Sequence, residues 1–178
     1  AELITAGIFM FLLKEGSRNA LNNDRQEESF EINYQNLLGL HLPHMDTVDE
    51  LMRHLDEEEL INLKAGMISS LFEKKTLHNY RFLGHWFLVA VDGTGVMSFP
   101  ERHCPHCLTK TSKNGKTTYF HNVLEANLIC SNGFSLSLAT AWIENPDGDF
   151  DKQDCELKAF VRLAEQLKKS YPRLPILI

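Results

Sequence analysis

The stretch that decides the fold is FLVAVDGTG, residues 87–95. Aromatic and β-branched side chains are concentrated from Tyr80 to Val91, and this composition is typical of a β-strand. Because the run from Phe87 to Val91 is continuously apolar and does not alternate with polar residues, it predicts a central strand that is buried on both faces. The strand is expected to end at Asp92, where a carboxylate followed by Gly93 interrupts the apolar run.

The residues that follow predict more strands and one long helix. The turn signal Ser131-Asn132-Gly133 is typical of a β-hairpin, and Pro172 is expected to stop the helix. Four elements are predicted, at residues 117–129 (strand), 134–143 (strand), 152–170 (helix, after a polar loop at 144–151) and from 176 onward (strand). The apolar face of the helix is predicted to consist of Leu157, Phe160, Val161, Ala164 and Leu167. The order is strand, strand, strand, helix, strand.

The residues before Tyr80 have the periodicity of helices, because apolar side chains recur at intervals of three and four. The sequence therefore predicts an α+β protein, with a helical N-terminal region at residues 1–78 and a second region at 79–178 that carries a Cys/His-containing insertion at 100–117. Two adjoining helices, at 47–55 and 57–72, have the spacing of a helix-turn-helix. Simple helical packing is the favoured interpretation, because the acidic run Glu57-Glu58-Glu59 would repel DNA phosphates.

Composition limits the classes of function. The formal net charge of −6 argues against a protein that binds nucleic acid through bulk positive potential. Local phosphate contact would rest on Lys110, Lys113 and Lys116 around the turn Asn114-Gly115, a segment that otherwise forms a solvated loop. There is no apolar run of roughly 18 residues, so no membrane partner is expected. Four cysteines without secretory features indicate the reducing cytoplasm.

The pair Cys104-x-x-Cys107 is a candidate zinc knuckle. Zinc in structural sites usually takes four nitrogen or sulfur ligands, and one CxxC supplies two of them. A third ligand would come from His121 or His106, and a fourth from Cys130 or Cys155, as the fold allows. The alternative is a set of free thiols in a reducing compartment.

Asp92 and Glu156 are the candidate catalytic carboxylates. A charged side chain that ends an apolar run is costly to bury unless something such as a cation compensates it, and Mg²⁺ prefers oxygen ligands. By itself, Asp92-Gly93 is also a common turn. Glu156 has an equally simple alternative role, because an acidic residue stabilises the first turn of a helix. The segment Asp147-Gly148-Asp149 predicts only a polar turn.

Four segments resemble bacterial insertion-sequence transposases of the DDE class. They are VAVDGT (89–94), HCPHC (103–107), TYFH (118–121) and KQDCELKAF (152–160). The resemblance covers nearly the whole chain and is strongest at residues 80–178. It implies that the helical N-terminal region is followed by the first half of a ribonuclease H-like core, consisting of three strands, a helix and the start of a fourth strand.

The resemblance also implies a chemistry. In that family three carboxylates hold two Mg²⁺ or Mn²⁺ ions, which activate water or a 3′-hydroxyl to attack a phosphodiester. Asp92 would be the first ligand, the second would follow the strand that begins at Ile176, and the third would lie further on. In ribonucleases H proper a helical Glu faces the first-strand Asp, and Glu156 has a comparable position. The fragment alone is therefore expected to be inactive.

The implied partners are DNA, at the element ends and the target, and further copies of the complete protein. Two alternatives to an active transposase stay open. In the first, the chain is a noncatalytic remnant of a transposase. In the second, it is an unrelated zinc-stabilised α+β binding module in which Asp92 only caps a turn.

Overall fold

The computed structural model describes residues 2–146 and 152–178, and the α+β class is confirmed. The predicted polar turn at Asp147-Gly148-Asp149 lies outside the described residues. The helices are α1 (Glu2–Leu12), α2 (Arg18–Asp24), α3 (Glu28–Leu38), α4 (Met45–His54), α5 (Glu57–Glu73) and α6 (Glu156–Ser170), with a short 3-10 helix at His78–Tyr80. The strands are β1 (Phe87–Phe99), β2 (Leu108–Thr111), β3 (Thr117–Ile129), β4 (Ser135–Ile143) and β5 (Ile176–Leu177).

The chain divides into two compact units, Ala1–Leu60 and Ile61–Ile178. In the first unit the helices bury a small apolar cluster that includes Leu21 and Met45. Asn22 is buried with it, and its side-chain oxygen accepts a hydrogen bond from the backbone N–H of Met45 at 2.9 Å. The division comes earlier than the predicted boundary near residue 78, because Ala65, Ile68, Leu71 and Phe72 of α5 pack in the core of the second unit.

The second unit is built on a sheet in which β1 is central. On one side β1 pairs with β3 in antiparallel orientation, and on the other it pairs with β5 in parallel orientation. The outer edge of β3 is shared, because residues 117–120 pair with β2 and residues 122–129 pair with β4. The predicted β3–β4 hairpin is confirmed, and Gly133 supplies the positive φ of 84° that its turn requires.

The prediction for β1 was wrong at both ends. Residues 82–86 form a tight turn in which Phe82 and Trp86 pair, with Leu83 and Gly84 at positive φ, so the strand starts at Phe87. At the other end the strand continues through Asp92 to Phe99, because residues 92–95 keep pairing with residues 122–125 of β3. The composition of this segment could not reveal where pairing begins or ends. The short strand β2 was not predicted at all.

Helix α6 covers one face of the sheet, where it contacts β3 and β4. It begins at Glu156, four residues later than predicted, and buries Ala159, Leu163 and Leu167. The predicted apolar face was correct for Leu167 and wrong for three other residues, since Leu157, Phe160 and Val161 are exposed. The helix carries two apolar stripes, and periodicity alone does not tell which stripe faces the sheet.

Two leucines of α6 give a matched test of this orientation. Leu163 is 0% exposed and Leu157 is 76% exposed. We expect Leu163→Ala to lower the free energy of unfolding by about 2–5 kcal/mol, because it leaves a cavity in the core. Leu157→Ala should change it by less than about 0.5 kcal/mol. Urea denaturation followed by circular dichroism measures both, and a larger loss for Leu157→Ala would show that the helix is turned the other way.

Candidate metal centre and the position of Asp92

Three side chains converge between the end of β1 and the start of β3. Cys104 and Cys107 belong to a tight turn just before β2, and His121 lies on β3 directly after the residues that pair with β2. The two Sγ atoms are 3.6 Å apart. Nε2 of His121 lies 3.2 Å from Sγ of Cys104 and 3.3 Å from Sγ of Cys107.

These distances are close to those expected around a metal ion. Sulfur and nitrogen ligands placed about 2.3 and 2.0 Å from a tetrahedral zinc ion lie roughly 3.5–3.8 Å from one another. The Sγ···Sγ distance lies in this range, and the two Sγ···Nε2 distances are slightly shorter. The three ligand atoms all lie within 4.8 Å of one another, so the cluster could hold a metal ion and is compatible with structural zinc. We call Cys104, Cys107 and His121 the Cys₂His cluster.

The structure separates the alternatives for the other ligands. Nδ1 of His106 lies 2.9 Å from the backbone oxygen of Asn145, so that ring is engaged outside the Cys₂His cluster. His121 is therefore the histidine that joins the cysteines. Among the residues that the structure describes, neither Cys130 nor Cys155 belongs to this group.

The surroundings shift the pKa values of the two thiols in opposite directions. Burial and the hydrogen bond with Cys107 raise the pKa of Cys104. Burial would also raise the pKa of Cys107, but backbone groups of Cys104 and His103, together with the nearby Arg102, hold it below its ordinary value. The Arg102 guanidinium also braces the turn, donating to the backbone oxygens of Cys104 at 3.3 Å and Pro105 at 3.0 Å. Cys107, which is 1% exposed, is thus the thiol more readily deprotonated for a metal.

Asn145 supports the turn from the end of β4, and the sequence prediction missed it. This side chain is 1% exposed, and its Nδ2 donates to the backbone oxygen of Cys107 at 2.9 Å. Its backbone N–H donates to the backbone oxygen of His106 at 3.0 Å, and its Oδ1 accepts from the N–H of Asp154 at 3.3 Å. An Asn before Pro146 reads only as a turn residue, so no sequence signal could have revealed this role.

Removal of the Asn145 side chain is expected to weaken metal binding. Asn145→Ala leaves the buried carbonyl of Cys107 without its donor, which costs about 1–3 kcal/mol of stability. Since residues that orient metal ligands typically contribute about tenfold or more to affinity, we expect zinc affinity to fall by at least about tenfold. A competition titration with a chromophoric chelator measures the change. The exposed Asn79→Ala is the control, and equal affinities for the two variants would contradict the supporting role.

Asp92 lies in the middle of β1 and is exposed. Its cross-strand partner is Glu125 on β3, so the two carboxylates share one face of the sheet. The sequence prediction missed Glu125, because only the pairing register reveals it. Glu125 accepts hydrogen bonds from Ser137 and Thr140, and Nζ of Lys64 lies 4.0 Å from its Oε1. Burial lowers the pKa of Lys64, an effect that the charge of Glu125 partly offsets.

Glu156 approaches the sheet from the other side. A Cβ atom added to Gly93 would lie 3.0 Å from Cδ of Glu156 and closer still to its Oε1. Because successive residues of a strand point to opposite faces, the side chain of Asp92 points away from Glu156. The structure therefore does not bring these two predicted carboxylates together. Gly93 adopts no positive φ, so Asp92-Gly93 is extended strand and not a turn.

Asp92, Glu125 and Glu156 do not together form a magnesium site. Mg²⁺ requires several oxygen ligands in near-octahedral geometry. Within residues 2–146 and 152–178, Asp92 belongs to no group of three side chains that could hold a metal ion. The oxygens of Glu125 already accept hydrogen bonds from two hydroxyl groups.

None of the described helices is long and apolar enough to cross a membrane. No protein-family model, curated protein sequence or solved structure matches the chain significantly.

Proposed function

We propose that this chain is the N-terminal portion of a DDE-class DNA transposase. Its complete form would cleave and transfer DNA strands at the ends of a mobile element, in the cytoplasm and as a homo-oligomer. The observation that carries the proposal is the position of Asp92, which is exposed on the central strand of a sheet built in the order strand, strand, strand, helix, strand. This is the element order of the first half of a ribonuclease H-like core, apart from the added short strand β2. The sequence resemblance supports the same assignment.

Asp92 would contribute one carboxylate oxygen to a divalent cation that activates the attacking hydroxyl. The described residues do not complete such a site, so the chain alone is not proposed to be active. Glu156 is assigned to the start of α6, where its charge stabilises the helix N-terminus. The remaining carboxylates are proposed to follow β5, as the resemblance implies.

The pairing of β5 with β1 predicts where the next carboxylate stands. Leu177 pairs with Leu88, and Asp92 lies four residues beyond Leu88 on the same strand. If β5 continues in the same parallel register, its residue four beyond Leu177, which is the third after Ile178, lies next to Asp92. Reading the coding frame downstream of Ile178 tests this. We expect an Asp or Glu at that position, since a residue one step away would point to the opposite face of the sheet.

The absence of any carboxylate from the following ten codons would contradict the proposal. A frame that stops there would instead indicate a noncatalytic remnant.

The Cys₂His cluster favours a second candidate, a zinc-stabilised α+β binding module without catalysis. This candidate needs only the cluster and gives Asp92 no role in metal binding. The two candidates differ in their response to Asp92→Asn, which removes a magnesium ligand in the first and leaves all metal binding unchanged in the second.

A further inference from the structure

Positive charge is concentrated around the Cys₂His cluster. Residues 102–124 contain one arginine, three lysines and no acidic residue, which gives a formal charge of +4. The whole chain carries −6, so the remaining residues carry −10. An acidic protein therefore contains one clearly basic segment, and general surface composition does not account for it.

Three of these charges lie on one exposed hairpin, formed by β2, the start of β3 and the turn that joins them. Every residue from 109 to 116 is exposed. The turn is ordered by hydrogen bonds from the N–H of Ser112 to the oxygen of Lys116 at 2.9 Å and from the N–H of Gly115 to the oxygen of Ser112 at 3.0 Å. Gly115 has the positive φ of 77° that favours glycine in such a turn. We call residues 108–120 the basic hairpin.

The Cys₂His cluster closes the base of the basic hairpin. Leu108 and Phe120 are its first cross-strand pair. Cys107 directly precedes one of them, and His121 directly follows the other. A metal held by these ligands would therefore fasten the two arms together, where a short two-stranded hairpin alone is only marginally stable.

The outer edge of β2 is occupied as well. The side-chain amide of Gln153 accepts a hydrogen bond from the N–H of Thr109 at 2.6 Å and donates one to the oxygen of Thr109 at 3.1 Å. None of the three hairpin lysines forms an ion pair with a described residue. The hairpin backbone is thus held on two sides while Lys110, Lys113 and Lys116 face solvent.

We propose that the basic hairpin binds the phosphate backbone of duplex DNA. The choice of DNA as the polyanion rests on the proposed function, whereas the binding surface rests on the charge and geometry of this hairpin. Lysines bind phosphates as point charges without reading bases, so the contact is independent of sequence and sensitive to salt. Because the hairpin is already ordered, little conformational entropy is lost on binding.

The test compares two triple variants with the same change in charge. The first is Lys110→Gln/Lys113→Gln/Lys116→Gln, and the control is Lys74→Gln/Lys158→Gln/Lys168→Gln, at exposed positions elsewhere. Fluorescence anisotropy of a labelled random-sequence duplex measures the affinity of the zinc-loaded chain at several salt concentrations. We expect the hairpin triple to lose about tenfold in affinity and its log–log salt slope to become shallower by about 3, whereas the control changes by less than about twofold.

Two further measurements separate charge from fold. The hairpin triple should retain wild-type zinc content, and removal of zinc by a chelator should weaken DNA binding of the wild type. Equal losses in the two triples, or tighter binding to anionic vesicles or an acidic peptide than to the duplex, would overturn the proposal. So would wild-type DNA binding that does not depend on salt.

The DNA-binding test of the basic hairpin does not require a catalytically active protein. In the zinc-loaded chain without added Mg²⁺ or Mn²⁺, Asp92→Asn should bind the duplex as tightly as the wild type does. If the hairpin triple binds DNA as tightly as the wild type, while DNA cleavage still depends on Asp92, only the hairpin proposal is rejected. If the hairpin lysines are needed for salt-dependent DNA binding, while DNA cleavage does not depend on Asp92, only the proposed function is rejected.

Discussion

Replacement of Cys107 with serine is expected to abolish stoichiometric zinc binding and to destabilise the Ile61–Ile178 unit. A hydroxyl is a poor zinc ligand at neutral pH, and Cys107 is the most deeply buried member of the Cys₂His cluster. A ligand that binds only the folded state at about 1,000 times its Kd contributes about 4 kcal/mol, and the variant should lose this stabilisation. Zinc content by atomic emission and urea denaturation with and without zinc measure the two effects.

Cys130→Ser is the matched control, because Cys130 is a free thiol at the end of β3 and lies outside the cluster. It should keep one zinc ion per chain and respond to zinc as the wild type does. Retention of zinc by Cys107→Ser, or its loss from Cys130→Ser, would show that the metal is bound elsewhere. The result would also decide between a zinc site and the free thiols that a reducing compartment allows.

The metal centre was only partly predictable from the sequence. The CxxC spacing identifies two ligands because both lie in one short turn, so no tertiary information is needed. The third ligand required the fold, since His106 and His121 are both near in sequence and only the strand pairing brings His121 between the two sulfurs. The supporting role of Asn145 depends on contacts across 38 residues.

For Asp92 and Glu156, the sequence could not predict which residues lie next to them in the fold. A strand places neighbouring residues on opposite faces, so the partner of Asp92 depends on the register to within one residue. Glu156 lies over Gly93 and not over Asp92, and Glu125 lies beside Asp92. Neither relation can be read from spacing along the chain. The resemblance implied that Glu156 faces Asp92, whereas Glu156 meets Gly93 and Asp92 points to the opposite face of the sheet.

Element types were predicted better than element ends. The strands β3 and β4 and their turn follow from β-branched residues and Ser131-Asn132-Gly133, which are local signals. The predicted start of β1 was wrong because Phe82 and Trp86 have high strand propensity but flank a tight turn. The buried face of α6 was predicted incorrectly because apolar residues occur on more than one side of the helix, so tertiary packing decides which of them are buried.

Asp92→Asn is expected to reduce DNA cleavage by the complete protein by about a thousandfold or more. Asparagine preserves the size of the side chain but removes the charge that a divalent cation requires, and about 4 kcal/mol of transition-state stabilisation corresponds to that factor. Asp92 is exposed on a regular part of β1. The substitution should therefore leave the fold and zinc content unchanged, which urea denaturation and metal analysis would verify. Glu156→Gln is the control, because its side chain lies on the other face of the sheet.

The most direct measurement is excision of the DNA segment that carries this coding frame, in cells that express the complete protein as wild type, Asp92→Asn or Glu156→Gln. We predict excision by the wild type, near-wild-type excision by Glu156→Gln, and loss of excision by Asp92→Asn although that protein accumulates and binds zinc normally. Excision that persists at the wild-type level in Asp92→Asn would contradict the assignment of this chain to a DDE transposase.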